Sequence, residues 1–457
     1  MYKASKWLVI NKKGGKIRIF HSVLGNLIEI NKDTLKIIRF LNKAHTLEDL
    51  KNKFKLDKND IRVLNELKEK EFIVDSDFKE DFSNKLFLRK CSHFNEATLR
   101  FYLTERCNFS CGYCFEGKER KIYGKNLDLK TAVNSIDAFV KFYNSLADKP
   151  EFIKVYFFGG EPLLNWNIIP PIVDEVDRKI KRLGSKVIIG ITTNAVLMTE
   201  EIAKYLYDHR IVTYISLDGV GKDHDIMRKY HDGRGTFRDV ERGMKNLIRV
   251  SDKKYIKESI GITSTVGPYN INGVPKLLKY IKSLGIKNIS INKIAPCGGI
   301  SPEVQKKLLI DDKRFFEKAK MWYELAERLG ISLGGMWGEI RNRLLNGGLV
   351  FCSAAGYEFG IAPDGIIYPC PFVFGNKNYL IGKINKDGTF ILNEKMYSKW
   401  YNRLPSIMKD CKDCEIIGIC RGGCLGMALF SKGSIYQPFG CNYAKKFVDY
   451  FVWRLPK

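Results

Sequence analysis

No apolar run in these 457 residues is long enough to cross a bilayer, and the N-terminus, Met1-Tyr2-Lys3-Ala4-Ser5-Lys6-Trp7, lacks the apolar region of a signal peptide. Membrane-spanning and secreted classes are therefore disfavoured, and a cytoplasmic location is expected. Acidic residues are scarce, 51 Asp+Glu against 77 Lys+Arg, which leaves a formal charge of +26. Such a field attracts polyanions, acidic peptides or membrane surfaces. The lysines are spread along the chain rather than bunched, however, which is also the pattern of ordinary solvated helix faces. A reducing compartment does not favour structural disulfides, so the twelve cysteines point to metal or redox chemistry. Only Cys91 and Cys297 stand apart from recognisable groups, and buried free thiols are the default reading for both.

The length calls for two to four domains, and three regions separate by pattern. In residues 1–75, short strands at Trp7–Ile10, Ile17–Phe20 and Leu27–Ile30 precede helices at Lys32–Leu41, Thr46–Lys53 and Lys58–Lys70. Phe72-Ile73-Val74 reads as a closing strand, and the whole reads as a winged-helix-like domain. The charged stretch within 76–94 reads as a linker. Residues 95–335 alternate strands and helices, with strands at Thr98–Thr104, Ile153–Phe158, Val187–Thr192, Val212–Leu217, Ser259–Val266 and Asn288–Ile294. Six parallel βαβ strands predict an α/β fold, a partial (β/α)6 barrel with its chemistry at the C-terminal strand ends. Residues 350–450 are Cys- and Gly-rich with little periodicity, so metal rather than a large apolar core is expected to hold them.

The motif Thr104-Glu105-Arg106-Cys107-Asn108-Phe109-Ser110-Cys111-Gly112-Tyr113-Cys114 offers three thiolates at CxxxCxxC spacing, directly after a strand. Cubane clusters normally take four thiolates, and a run that supplies three leaves one iron open to a small molecule. Structural zinc, the alternative, wants four closed ligands at other spacings.

With Phe158-Gly159-Gly160-Glu161-Pro162, Thr193-Asn194 and Ser216-Leu217-Asp218-Gly219, followed by His224 and Arg228, this motif resembles the radical S-adenosylmethionine superfamily over nearly all of the second region. The resemblance implies an oxygen-sensitive 4Fe–4S cluster on Cys107, Cys111 and Cys114, whose open iron chelates S-adenosylmethionine and cleaves it to a 5′-deoxyadenosyl radical. It further implies cofactor contacts at Tyr113 beside adenine, Gly159, Gly160, Glu161 on the ammonium, Asn194, and Ser216, Asp218 and Arg228 around the ribose and carboxylate.

The last region carries Cys352, Cys370, Cys411, Cys414, Cys420, Cys424 and Cys441, a series that resembles the SPASM extension with its two auxiliary 4Fe–4S clusters. A zinc ribbon is the alternative. The resemblance gives Cys411, Cys414, Cys420 and Cys441 to an outer cluster, and Cys352, Cys370 and Cys424 to an inner one. Fully ligated relatives carry one more cysteine soon after the position of Cys352, where this chain has Ser353-Ala354-Ala355-Gly356-Tyr357-Glu358. The inner cluster is accordingly expected to leave an iron open for a substrate thiolate, unless Cys297 or Glu358 completes it. Sulfatase-maturating relatives place a basic Asp after the position of Cys370; Pro371 stands here and disfavours formylglycine formation.

Three strands followed by three helices in residues 1–75 resemble the precursor-recognition domain of peptide-modifying enzymes, the fold of the peptide chaperone in pyrroloquinoline quinone biosynthesis. Such domains add a leader peptide to a sheet edge. A DNA-binding winged helix is the rival, weakened by a shortage of base-reading Arg, Asn and Gln; a structural cap is a third reading. The expectation is an oxidoreductase that matures a ribosomally made precursor peptide, fed by a ferredoxin- or flavodoxin-type donor. Its first-choice product is a thioether, with carbon–carbon cross-linking second and epimerisation or another oxidation third. No membrane partner is expected, and the contrasting class is a non-catalytic, metal-stabilised nucleic-acid-binding protein.

Overall fold

The computed structural model describes residues 1–81, 95–116, 122–296, 301–335 and 337–455. Cys91, Cys297 and most of the 76–94 stretch lie outside them. Near the N-terminus, β1 (Tyr2–Ala4), β2 (Leu8–Lys13), β3 (Lys16–His21) and β4 (Gly25–Ile30) precede α1 (Lys32–Phe40), α2 (Leu47–Phe54), α3 (Lys58–Glu69) and β5 (Ile73–Asp75). β2, β3 and β4 form an antiparallel sheet in that order, while β1 pairs with β5 apart from it. Local chemistry sets the helix starts. The Asn31 side chain accepts from the Thr34 amide, and Thr46–Asp49 and Asp57–Asp60 are reciprocal capping boxes. Ile19, Ile38, Leu41, Leu50, Leu67 and Phe72 close a small core of their own. The linker expectation changes at its first residues: Glu80 is buried, accepting from Ser5 Oγ and, at 3.2 Å, from the Lys6 amide. A charged stretch reads as solvated until it finds a buried donor to fold back on.

The central sheet has eleven strands. Parallel strands β6 (Glu96–Tyr102), β7 (Phe152–Phe158), β8 (Lys186–Thr193), β9 (Val212–Ser216), β10 (Ile260–Val266) and β11 (Asn288–Lys293) lie side by side in chain order. A seventh parallel strand, β12 (Ser332–Gly334), extends one edge, and β13 (Tyr357–Ile361) runs parallel to β6 on the other. Beyond it β14 (Ile366–Tyr368), β15 (Gly382–Ile384) and β16 (Phe390–Leu392) continue antiparallel. Alternation decides the two faces. Ala97, Leu99 and Phe101 join Ile136 and Phe139 of the helix Leu129–Ser145 in the main core. Thr98, Arg100 and Tyr102 therefore face the other way, into the barrel.

The C-terminal region corrects the expectation of a metal-held module without a large core. It continues the barrel sheet, and its helix Cys441–Val452 sends Phe447, Val448, Phe451 and Val452 into the main core. Trp337 stacks on Phe447 with ring centroids 5.0 Å apart. Three-residue strands and interspersed cysteines are too short to display a period, so this core is silent in the sequence.

The N-terminal sheet is tied to that last helix. Arg18 Nη1 donates to the carbonyls of Val452 and Leu455 at 2.8 and 2.9 Å, and Nε donates to Glu29 at 3.2 Å. Trp453 Nε1 donates to Asn11 at 2.8 Å. Replacing Arg18 with Met strands two carbonyls and a carboxylate, and it should cost roughly 2 kcal/mol of stability in urea unfolding.

Candidate active site

Main-chain hydrogen bonds on both flanks fix the cysteine loop. After β6 the Thr104 hydroxyl accepts from the Arg106 amide at 3.0 Å and donates to Asn126 at 2.6 Å. Phe109 is buried edge-to-face against Tyr230. The amides of Ser110 and Gly112 donate to the carbonyls of Lys229 and Met227 at 2.7 and 3.0 Å. On the other flank, the Gly160 and Glu161 amides donate to the carbonyls of Thr104 and Arg106 at 2.9 and 2.8 Å. A Cβ at Gly160 would stand 2.1 Å from the Arg106 carbonyl oxygen, so no other residue allows this approach. The glycines of the Gly-Gly-Glu-Pro segment thus seat the cysteine loop as well as lining the cavity.

That cavity, of about 390 Å³, is lined by Cys107, Cys111, Tyr113 and Cys114, by Gly159, Gly160, Glu161 and Asn194, and by Ser216 and Arg228. All ten are residues singled out in the sequence. Its volume is that of a small-molecule site.

Glu161 is 1% exposed. Its carboxylate accepts from Thr193 Oγ1 at 2.6 Å, the Leu163 amide at 3.0 Å and the Asn194 amide at 2.7 Å. Burial nevertheless pushes its pKa up to about 7, the three donors and Arg228 pulling the other way. An ammonium group is the partner that such a carboxylate lacks.

Asp218 is placed differently. It is 1% exposed and stands behind the cavity wall, held by Arg228 Nε and the Thr265 amide, each at 2.8 Å, and by the Tyr113 hydroxyl. It orients Arg228 and Tyr113, and those two face the cavity. His224 is buried, its pKa lowered to about 4 by burial with the Arg228 charge adding, and it bridges the Asp218 amide and Thr236 as a neutral ring.

Residues that the sequence did not single out complete the wall: Thr263, Thr265, Asn292 and Lys293 from the barrel, and Phe372 and Met427 from the C-terminal region. Thr263 and Thr265 were legible as inward positions of β10, since they follow the period of two, and Asn292 and Lys293 as the C-terminal end of β11. Phe372 and Met427 carried no signal. Pro371 opens the short turn that delivers Phe372 to within 5.5 Å of Phe115, ring to ring.

The remaining cysteines fall into two neighbourhoods. Burial pushes the Cys352 thiol up to about 12, with Cys424 its foremost charged neighbour; Cys370 is raised by burial and then by Cys424 and Cys352. Burial likewise raises Cys411 to about 12 and Cys420 to about 11, with Cys441 and Cys414 adjoining both. Burial keeps these thiols neutral, and they become thiolate ligands only when a cationic metal group binds among them. The donor set therefore fits clusters. Glu358, a candidate to complete the inner set, is buried and engaged by Arg100 Nε at 2.7 Å and by Ser353 Oγ.

The family model described as the Radical SAM superfamily matches residues 101–281, and the SPASM model, an iron–sulfur cluster-binding domain, matches residues 352–415. The chain is a radical SAM enzyme with a SPASM domain. Its cluster, when bound, supplies the electron that splits S-adenosylmethionine, and the SPASM domain adds auxiliary iron–sulfur clusters. Curated relatives include the radical SAM cyclopropyl synthase TigE of Paramaledivibacter caminithermalis, 28% identical over 97% of this chain and 94% of its own. A cysteine-type anaerobic sulfatase-maturating enzyme of Clostridium perfringens is 26% identical, over 76% of this chain and 94% of its own. Among solved structures, Streptococcus suis SuiB bound to precursor peptide SuiA has a TM-score of 0.54 at 16% identity, covering 96% of this radical SAM enzyme and 98% of SuiB.

A raised carboxylate pKa binds protons in the fold that the unfolded chain has released, so stability falls as pH rises from about 4.5 through about 7. Before cluster and cofactor are loaded, Glu161→Gln should abolish that slope, worth up to about 3 kcal/mol, in urea melts compared at pH 4.5 and pH 8. The loaded Gln variant should bind S-adenosylmethionine at least tenfold more weakly in equilibrium dialysis.

Proposed function

We propose that this radical SAM enzyme matures a ribosomally made precursor peptide, with its leader on the N-terminal domain and its core in the barrel mouth. The observation that carries the reading is the composite cavity. Cys107, Cys111 and Cys114 line one side, and Phe372 and Met427, close in sequence to Cys370 and Cys424, line another. A side chain held there lies between the site of radical formation and the auxiliary clusters. The proposed roles are Glu161 for the ammonium, Arg228 for the carboxylate, Tyr113, Ser216 and Asn194 for the nucleoside, and Asp218 as the anchor of Arg228 and Tyr113. The 5′-deoxyadenosyl radical would take one hydrogen atom from a peptide carbon.

Support for a peptide comes from the relatives' printed descriptions. SuiB is a complex with its precursor peptide and aligns over 96% of this chain, N-terminal domain included. The sulfatase-maturating relative aligns over only 76%. In this chain β2 and β4 are the two edges of the N-terminal sheet, where a leader would add as a strand. Arg and Lys side chains on and around the sheet suit an acidic leader.

The bond formed is read in two ways. A thioether follows from an inner cluster with three cysteines and an iron open to a substrate thiolate. A carbon–carbon ring closure follows from likeness to a cyclopropyl synthase over nearly the whole chain, and we favour it, because the similarity spans all three regions while the open iron rests on one missing cysteine.

Reduced, reconstituted enzyme should release 5′-deoxyadenosine from S-adenosylmethionine under anaerobic chromatography, and Cys111→Ala should abolish it. Both readings remove two hydrogens from the precursor. Alkylation with iodoacetamide then separates them: ring closure leaves every thiol of the product alkylated, and a thioether leaves one unlabelled. Fluorescence anisotropy should find the labelled leader bound and duplex DNA unbound; preference for the duplex would overturn the peptide reading.

A further inference from the structure

Four arginines are buried among the described residues: Arg18, Arg228, Arg343 and Arg403. Arg18 meets Glu29 at 3.2 Å and Arg228 meets Asp218 at 2.8 Å. Arg343 and Arg403 have no carboxylate within ion-pair distance among the described residues, and neither has the half-buried Arg421. Their donors go to main-chain carbonyls instead. Arg403 donates to Ile435, Arg421 and Gly422 at 2.8, 2.9 and 2.8 Å. Arg421 donates to Gly418 and Val350 at 2.9 and 3.0 Å. Arg343 donates to Phe351 at 3.1 Å and Ile419 at 3.4 Å. The chain is shaped around them: Gly422 has φ +71°, and a Cβ there would stand 2.9 Å from Arg403 Nη1.

A carbonyl satisfies an N–H but leaves the charge uncompensated, and an isolated buried cation is among the costliest things a fold can hold. Around Arg403 the groups able to answer that charge are thiols, while Arg343 and Arg421 also have Glu339 nearby. Arg403 lies among Cys352, Cys411, Cys424 and Cys420, which belong to both cysteine neighbourhoods. Arg343 lines one small cleft with Cys420 and Cys424, and a second with Cys352 and Arg421, with Glu339 also in that second cleft.

We propose that Arg403, with Arg343, is the counter-charge of the auxiliary iron–sulfur clusters and holds their reduction potentials up. A cubane on four thiolates is an anion, and one electron more makes it more negative. A fixed cation in a poorly screened interior therefore stabilises the reduced form more than the oxidised one. Arg403, touching both neighbourhoods, acts on both clusters, so its loss makes each a weaker electron acceptor. The inference rests on the SPASM clusters and is independent of which peptide, or which bond, the enzyme makes.

The test compares charge with shape in the reconstituted holoenzyme. Arg403→Lys keeps the cation and loses the guanidinium fork; Arg403→Gln keeps donors and loses the cation. Arg343→Lys and Arg343→Gln repeat the pair at a second position. Potentiometric titration followed by EPR, with iron and sulfide counted per chain, is expected to move the auxiliary-cluster midpoints to lower potential, or to empty those clusters, in both Gln variants. The Lys variants should keep iron and stay near the parent potential. The signal of the cluster on Cys107, Cys111 and Cys114 serves as the internal reference and should not move. Gln variants with full iron and parent potentials would overturn the proposal. So would Lys variants that lose as much as Gln, because the arginines would then act only as cross-links between backbone segments.

Discussion

The contact that positions the site is between two stretches of main chain. The end of β7 lies on the cysteine loop so tightly that the Gly160 amide reaches the Thr104 carbonyl and a methyl group at Gly160 would collide with Arg106. Everything else in the cavity takes its place from that contact. It sets the height of the three thiols above the barrel, and it swings Glu161 inward to the donors at the end of β8. It also leaves the loop's far side free to pair with Met227 and Lys229. Side-chain hydrogen bonds of this size would give at a fraction of the force; two backbones in van der Waals contact do not.

The barrel interior then divides the work by polarity. Inward positions on β6, β7 and β10 carry Thr98, Arg100, Lys154, Thr263 and Thr265 among aromatic residues such as Tyr102 and Tyr156, while the outward positions are, Ser264 apart, apolar and pack on the helices. A polar lumen can hold a charged nucleoside cofactor, and it must keep its own charges answered. Arg100 does so with Glu358 and Arg228 with Asp218. Around the auxiliary cysteines, Arg343 and Arg403 are buried near thiols with no carboxylate in ion-pair distance among the described residues, a polarity that is settled once the sulfurs are ionised on metal.

The C-terminal region is therefore structural and electronic at once. Its strands lengthen the barrel sheet past β6, and its last helix brings Phe447 and Phe451 against Trp337. Through Val452 and Leu455 it anchors Arg18 of the N-terminal sheet. The same region contributes Phe372 and Met427 to the cavity, so part of the cavity wall comes from the segment that carries the later cysteines.

The sequence by itself determined the chemistry. CxxxCxxC after a strand, Gly-Gly-Glu-Pro at the next strand end and seven later cysteines are local patterns, each readable because ligand spacing and turn geometry are local constraints. The six barrel strands were legible for the same reason, as β-branched and aromatic runs of five or more residues that alternate with helical stretches. Tertiary structure alone decided what those residues touch. Asp218 proved to be an anchor behind the wall, because its partners Tyr113, Arg228 and Thr265 come from three separate segments. Glu80, read as linker, is buried because Ser5 and Lys6 lie far away in sequence and near in space. Arg343, Arg403 and Arg421 are scattered basic residues on paper, and nothing in a string of letters tells a solvated cation from a buried one. Burial and long-range contact are properties of the folded chain, and they are where the electrostatics of this enzyme reside.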